Sequence, residues 1–79
     1  MAEFAVFLSR SSEKNLGMIQ PKIREKIKAV LDVLKANPVP AKEYDLTKIS
    51  GSDSNYRIRS GRYRILYTVN WNEKQVKVF

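Results

Sequence analysis

The sequence predicts a small α+β domain in which an N-terminal strand and two helices precede an antiparallel β-meander. Three patterns carry this prediction: a short apolar segment near the N-terminus, a helical repeat of apolar residues between residues 21 and 37, and alternating residues from residue 55 onward. Because the two helices are consecutive in the chain, we expect both to pack on one face of the sheet.

Length and composition limit the possible chemistry. A chain of 79 residues is one domain with a modest core. It contains no cysteine and no histidine, which excludes disulfides, thiol catalysis, and metal sites or acid–base pairs built on these residues. The eight acidic residues are scattered, so we expect no metal and no cofactor. Fifteen lysines and arginines give a net charge of +7, which favours a polyanion or an acidic protein as partner.

The N-terminal segment predicts a strand and a short helix. Residues 3–8 alternate between two faces that are both apolar, so we expect a strand in the interior of the sheet. Serines follow it and offer N-cap oxygens, and we expect a helix from Ser11 to Leu16 that stops at Gly17. The chain has no apolar run of membrane-spanning length and no basic start, so we expect no secretion signal and a cytoplasmic location.

The second helix has the clearest pattern. Pro21 suits the first position of a helix, where no amide donor is needed, and Pro38 disfavours helical backbone at Asn37, where we expect the helix to end. A stripe of apolar residues follows one side: Ile23, Ile27, Val30, Leu31 and Leu34. The basic residues favour an ordinary solvent-exposed face, with a secondary contact to RNA backbone as the alternative: Lys22, Arg24, Lys26 and Lys28.

The C-terminal half predicts a meander. Residues 41–54 have no regular pattern, and the last five of them form a turn cluster. Three strands are expected after it: Asn55–Arg59, Arg62–Val69 and Gln75–Phe79. Ser60–Gly61 joins the first two. Trp71 precedes the last strand and is either a lid on the edge of the core or an exposed surface for stacking or for a partner.

Four arginines fall close together in the predicted hairpin. With Ser60–Gly61 as a two-residue turn, Arg59 would lie opposite Arg62, and Arg57 opposite Arg64. Side chains alternate along a strand, so the four share one face, and tyrosines and isoleucines occupy the face that can accept the helix. Two like charges directly opposite each other destabilise a sheet by roughly 0.2–1 kcal/mol. Guanidinium groups in this concentration suit phosphate, whose oxygens they bind in a two-pronged geometry.

Three interpretations of this arginine face are open from the residues alone: a nucleic-acid surface, a dock for an acidic protein, and a plain solvated face. The absence of acids between residues 54 and 72 favours nucleic acid. RNA carries its own nucleophile, the 2′-hydroxyl, so a protein can cleave it by aligning that hydroxyl with the adjacent phosphate and stabilising the pentavalent transition state. Arginines suit the second role, whereas a lysine or a tyrosine is the better proton carrier.

Four segments carry a resemblance to a known family: Pro38–Pro40, Tyr44–Ile49, Tyr56–Arg59 and Gly61–Trp71. The most specific mark is the strand pattern Gly-x-Tyr-Arg followed by two hydrophobic residues and Tyr. Together these segments resemble the RelE family of toxins within the RelE/ParE superfamily, with the archaeal branch nearest. The resemblance covers the whole chain as a single RelE-like domain.

This resemblance implies a small α+β toxin that enters the ribosomal A site, cuts the mRNA there without a metal, and is blocked by a cognate antitoxin. By the same resemblance, Arg64 holds the scissile phosphate. Arg57 and Arg59 orient the 2′-hydroxyl and neutralise charge. Lys48 matches a basic position that precedes the sheet, and we expect Lys48 and Arg62 to contact RNA.

The sequence departs from the family in two ways. Arginine stands where some relatives place a lysine that is a candidate base. The family also continues past the last strand with a basic segment that supplies an arginine and a tyrosine important for cleavage. This chain stops at Phe79, so neither residue maps onto it, and we expect an incomplete catalytic set. Two alternatives stay open: a ParE-like toxin that inhibits DNA gyrase, and a binding module without catalytic activity.

Overall fold

The computed structural model describes residues 3–49, 51 and 54–79, and it confirms the predicted α+β fold. Within these residues the chain forms two helices and five strands, one strand more than the sequence predicts. The elements are β1 Ala5–Leu8, α1 Arg10–Gly17, α2 Pro21–Ala36, β2 Asp45–Lys48, β3 Asn55–Ser60, β4 Tyr63–Asn70 and β5 Gln75–Val78.

The five described strands form one sheet in the order β1-β5-β4-β3-β2. β1 pairs in parallel with β5, and all the other neighbours are antiparallel. The prediction that β1 lies in the interior of the sheet is wrong, because β1 is an edge strand. One of its apolar faces packs against the core, whereas Phe7 on the other face is 48 % exposed. In β1, apolar residues on both faces of the strand therefore accompany burial of only one face.

Local sequence explains how the helices begin. The Ser9 hydroxyl oxygen accepts a hydrogen bond of 3.1 Å from the Ser12 amide and caps α1, which extends one residue beyond the predicted range at each end. The Ser12 hydroxyl also donates to the Val78 carbonyl at 3.1 Å, which ties α1 to the last strand. α2 begins at Pro21 as predicted and ends at Ala36.

The core lies between the helices and one face of the sheet. Its buried hydrophobic side chains are Val30, Leu31, Leu34, Tyr56, Ile58, Ile65, Tyr67, Val69, Val76 and Val78. α1 lies on the same side, where Leu16 and Tyr63 line a shared cleft. The Tyr67 hydroxyl donates a 2.7 Å hydrogen bond to the Pro38 carbonyl, so this buried polar group is satisfied. In the described part of the chain, both helices therefore cover one face and leave the other open.

β2 is a strand that the sequence pattern does not predict. The expectation of an irregular segment over residues 41–54 is wrong for Asp45–Lys48, which pair with β3. Leu46 lies opposite Ile58 and packs against the core. A four-residue strand with a single apolar residue carries almost no periodic signal, and it forms because β3 offers hydrogen-bonding partners along its edge.

The β3–β4 hairpin differs from the prediction in its register. Gly61 and Arg62 form the two-residue turn, and Gly61 adopts φ +59°, which costs glycine nothing at the first turn position. Arg59 therefore lies opposite Arg64 and not opposite Arg62. Each pairing shifts by two residues, so every strand side chain stays on its predicted face.

The connection between β2 and β3 is described in part. Ser50, Ser52 and Asp53 of the predicted turn cluster lie outside the described residues, and Gly51 between them has φ +85°. The last strand ends at Val78, one residue before the predicted end. Neither α1 nor α2, the helices of the described residues, has the length and apolar character that a membrane span requires.

Candidate nucleic-acid interface

The side of the sheet that neither helix covers carries the candidate interface, and we call it the outer face. By strand alternation and register it includes Ala5, Phe7, Asp45, Thr47, Asn55, Arg57, Arg59, Arg64, Leu66, Thr68, Asn70, Gln75 and Lys77. Burial supports this division, because Ile58 and Ile65 on the opposite face are 0 % and 5 % exposed while Arg59 and Arg64 are solvent-exposed.

Three of the predicted arginines come together on the outer face. Arg59 and Arg64 lie directly opposite each other across β3 and β4, and Arg57 lies opposite Leu66. Residues two apart on a strand are about 7 Å apart, so the three long side chains reach a common area above the sheet. The predicted grouping of these residues on one face is confirmed, and their roles in binding or catalysis stay predictions.

Within the described residues, the three arginines of this group have no ion-pair partner. The ion pair recorded within the described residues joins Lys35 to Asp32 at 3.3 Å, and both belong to α2. No described residue forms an ion pair with Arg57, Arg59 or Arg64. Adjacent cations that lack paired acids create a positive potential that attracts polyanions.

Two other predicted RNA contacts lie outside this group, one in the adjacent turn and one on the edge strand β2. Arg62 is exposed in the turn beyond the strands, and the register that would place it opposite Arg59 is wrong. Lys48 lies opposite Tyr56 at the edge of the sheet, on the side of β2 that carries Leu46. Lys48 also has an interaction partner within the chain. The structure thus unites three of the five predicted site residues.

β2 brings an acid to the outer face that sequence reasoning did not find. Asp45 lies opposite Arg59, so the row across three strands reads Asp45, Arg59, Arg64. The Asp45 side chain is exposed, and the described residues show no ion pair between it and Arg59. Its carboxylate lowers the positive potential at the β2 edge of the arginine group. Strand pairing alone reveals this neighbour, because residues 41–54 have no sequence pattern.

Trp71 packs at the edge of the core, and its use as a stacking or partner surface stays a prediction. Its ring meets Phe4 edge-on, with the ring centroids 5.6 Å apart. The side chain is nevertheless 48 % exposed. Trp71 therefore closes the edge of the core with one side and presents the other to solvent.

Arg24 on α2 is a structural residue. Its guanidinium donates to the carbonyl oxygens of Leu16, Gly17 and Ile19 at 3.0, 3.1 and 3.0 Å. The last carbonyl groups of a helix lack hydrogen-bond donors within the helix, and Arg24 supplies such donors at the end of α1. The expectation of an ordinary solvent-exposed face is wrong for Arg24, since periodicity within α2 does not show contacts to α1. The other three basic residues are exposed: Lys22, Lys26 and Lys28.

The tyrosines next to the arginines lie on the core side of the strands. Tyr56 and Tyr67 stack with centroids 5.7 Å apart. Burial, together with the neighbouring Tyr56, raises the pKa of Tyr67, so its hydroxyl stays protonated. The described part of the chain has no group of three His, Cys, Asp or Glu side chains placed to hold a metal ion. The outer face offers phosphate binding and stabilisation of negative charge.

Comparison with known proteins finds sequence and structural similarity to proteins named RelE. No protein-family model matches the sequence. A curated relative named "Putative toxin RelE1", from Methanocaldococcus jannaschii, is 33 % identical over 72 residues, which cover 91 % of this chain and 80 % of the relative.

Two solved structures of RelE proteins have a fold similar to that of this chain. The crystal structure of an archaeal RelE–RelB complex from Pyrococcus horikoshii matches 95 % of this chain and 88 % of that chain, with a TM-score of 0.87 and 30 % identity. A mutant of the E. coli toxin RelE in the free state matches 99 % of this chain and 79 % of that chain, with a TM-score of 0.76. At 24 % identity, the second match supports the fold alone.

Proposed function

Because this chain belongs to the RelE family of toxins, we propose that it is the toxin of a toxin–antitoxin pair and a metal-independent endoribonuclease that cuts mRNA in the ribosomal A site. The observation that supports this most is the arginine group. Arg57, Arg59 and Arg64 share the helix-free face, and no described residue pairs with their charge. Guanidinium groups bind phosphate oxygens in a bidentate geometry, so this group suits the backbone of RNA.

In the proposed reaction the RNA supplies the nucleophile. Its 2′-hydroxyl gives its proton to a water molecule, and the 2′-oxygen attacks the adjacent phosphorus. The bond from phosphorus to the 5′-oxygen breaks, and that oxygen takes a proton from water, so the products end in a 2′,3′-cyclic phosphate and a 5′-hydroxyl. Arg64 binds the scissile phosphate, while Arg57 and Arg59 orient the 2′-hydroxyl and neutralise the charge on the non-bridging oxygens. Arginine stays protonated at neutral pH, so these residues act through charge and position.

We assign supporting roles to the two outlying cations. Arg62 extends from the turn next to the arginine group, where it can contact the RNA backbone on either side of the cut. Lys48 lies at the β2 edge and would contact backbone that passes over that edge. Contacts of this kind add affinity without reading sequence.

We further propose a cognate antitoxin as the protein partner, with the complex located in the cytoplasm. The archaeal RelE structure that this chain resembles is a complex with RelB. A net charge of +7 favours an acidic partner segment. Such a segment placed on the outer face would exclude RNA from it.

Toeprinting on translating ribosomes tests this function. We expect the wild-type chain to produce cuts within the A-site codon. Arg64→Ala should lower the cleavage rate by roughly 100-fold, the usual effect of removing one group that stabilises transition-state charge. Lys28→Ala, which removes an exposed cation from α2, should cut like the wild type.

Two readouts decide between interpretations. Circular dichroism of the Arg64→Ala variant should match the wild type, since Arg64 is exposed. Unchanged cutting by this folded variant contradicts the assignment. Poisoning of DNA gyrase by the wild type without mRNA cuts would place the chain with the gyrase-inhibiting branch of the superfamily.

A further inference from the structure

A cleft lies at the end of the outer face that is farthest from the β3–β4 turn. It has a volume of about 480 Å³ and opens where the start of β3 meets β4 and β5. Its lining includes Ser54, Thr68, Asn70, Trp71, Asn72 and Lys77. None of the predicted site residues belongs to it, so the cleft is separate from the arginine group.

The lining has the chemistry of a nucleotide site. Hydroxyl and amide groups from Thr68, Asn70 and Asn72 can donate and accept hydrogen bonds, which is how proteins read the edges of unpaired bases. The Asn70 side-chain oxygen accepts a hydrogen bond of 3.0 Å from the Glu73 amide, which orients this amide group. Lys77 is exposed, and the described lining contains no acid.

An exposed aromatic ring flanks the cleft. Phe7, Lys77 and Thr68 occupy one row across β1, β5 and β4 on the outer face. Strands in a sheet are about 4.8 Å apart, so Phe7 is the direct neighbour of Lys77. Phe7 is 48 % exposed. A cation beside an accessible aromatic ring is the combination that single-stranded nucleic-acid sites use to hold backbone and stack bases.

The cleft lies in line with the arginine group. Arg64 and Thr68 are on the same strand and the same face, four residues apart. This spacing is about 13 Å at roughly 3.3 Å per residue. It corresponds to about four stacked nucleotide steps of roughly 3.4 Å. One RNA strand that follows β4 therefore reaches both places, whereas a very short oligonucleotide reaches one of them.

We propose that this cleft is a second RNA subsite of the same outer face. A base several nucleotides from the cut enters the cleft, Lys77 binds the adjacent phosphate, and Phe7 stacks on the next base. The proposal rests on the proposed function, because it takes the arginine group as the first RNA site. It predicts that RNA long enough to reach both sites binds more tightly than RNA that reaches only one of them.

Fluorescence anisotropy with labelled single-stranded RNA of three and nine nucleotides, without ribosomes and at low salt, tests the subsite. We expect Lys77→Ala to weaken binding of the nine-mer by roughly fivefold and to leave the three-mer unchanged. The salt dependence of nine-mer binding should also fall by about 0.7 in the slope of log K against log salt, the value for one lost phosphate contact. Lys28→Ala removes an equal charge from α2, on the helix-covered side of the sheet, and should change neither quantity.

Two further variants, Phe7→Leu and Arg64→Ala, distinguish the subsite from the arginine site. Phe7→Leu keeps an apolar side chain but removes the ring, and it should weaken the nine-mer alone. If Arg64→Ala weakens both oligomers while Lys77→Ala behaves like Lys28→Ala, the subsite is wrong and the arginine site stands. If Arg64→Ala weakens neither oligomer, or the wild type binds neither, the subsite is overturned, and toeprinting on translating ribosomes decides the ribosome-dependent function separately.

Discussion

Arg59 and Arg64 lie directly opposite each other across β3 and β4, on the face of the sheet that neither helix covers. Like charges in this position oppose strand pairing. The next pair along the strands is Ile58 with Ile65, which points into the core and stabilises the same hairpin from the other side. The arginine pair thus costs stability in a small domain, which favours binding over folding as its explanation.

Arg64→Thr should separate these two effects. Threonine suits a strand, and the substitution removes the repulsion with Arg59 without removing an acid partner. We expect the free energy of unfolding in urea to stay constant or rise by roughly 0.5 kcal/mol, while RNA binding weakens. A loss of stability above about 1 kcal/mol would show that Arg64 is structural, because surface changes usually stay within about 0.5 kcal/mol.

Asp45→Asn should strengthen RNA binding. The carboxylate lies opposite Arg59 and repels a phosphate held there. Interactions between exposed charges are worth about 0.2–1 kcal/mol, so we expect affinity for single-stranded RNA to rise by a factor of about 1.4 to 5 at low salt. The gain should fade at high salt. Asp32→Asn on α2 is the matched control, and an equal gain there would attribute the effect to net charge alone.

Tyr67→Phe should lower stability in a manner that depends on pH. The variant loses the hydrogen bond to the Pro38 carbonyl, a cost of about 1 kcal/mol at neutral pH. Burial raises the pKa of Tyr67 above its unfolded value of about 10, so its contribution is full below that pH and is lost as pH rises above it. The difference in unfolding free energy between wild type and variant should therefore shrink above about pH 10. A constant difference up to pH 11 would contradict this.

Arg24→Lys should loosen the end of α1. The guanidinium donates hydrogen bonds to three carbonyl oxygens through nitrogens spread over a rigid plane. The donors of a lysine ammonium share one nitrogen, so lysine cannot reproduce this set of hydrogen bonds. We expect a loss of about 1–2 kcal/mol in unfolding free energy and faster amide exchange near Met18. Lys22→Arg, an exposed change of the reverse kind on the same helix, should alter neither measurement.

Much of the fold and of the candidate site could be predicted because some properties depend on neighbours in the chain. The start of α2 at Pro21 follows from the backbone of proline itself. The shared face of Arg57, Arg59 and Arg64 follows from alternation along each strand, so it survives the error in hairpin register. The charge of the outer face could therefore be read from the sequence even though its pairings could not.

Other features depend on residues that are far apart in sequence. Asp45 comes to face Arg59 because β2 adds to the edge of β3. Arg24 satisfies the end of a different helix, and β1 joins the sheet beside the last strand, where Phe7 stays exposed next to Lys77.

Periodicity and residue type thus determined both helices, four of the five described strands, the core side of the β3–β4 hairpin and the positive charge of one face. The tertiary structure decided which strands are edges, which residues oppose each other, and which polar groups meet. The physical reason is that periodicity records the environment of a residue, whereas pairing is a choice between distant segments that depends on loop geometry and on the hydrogen-bonding partners each strand edge offers.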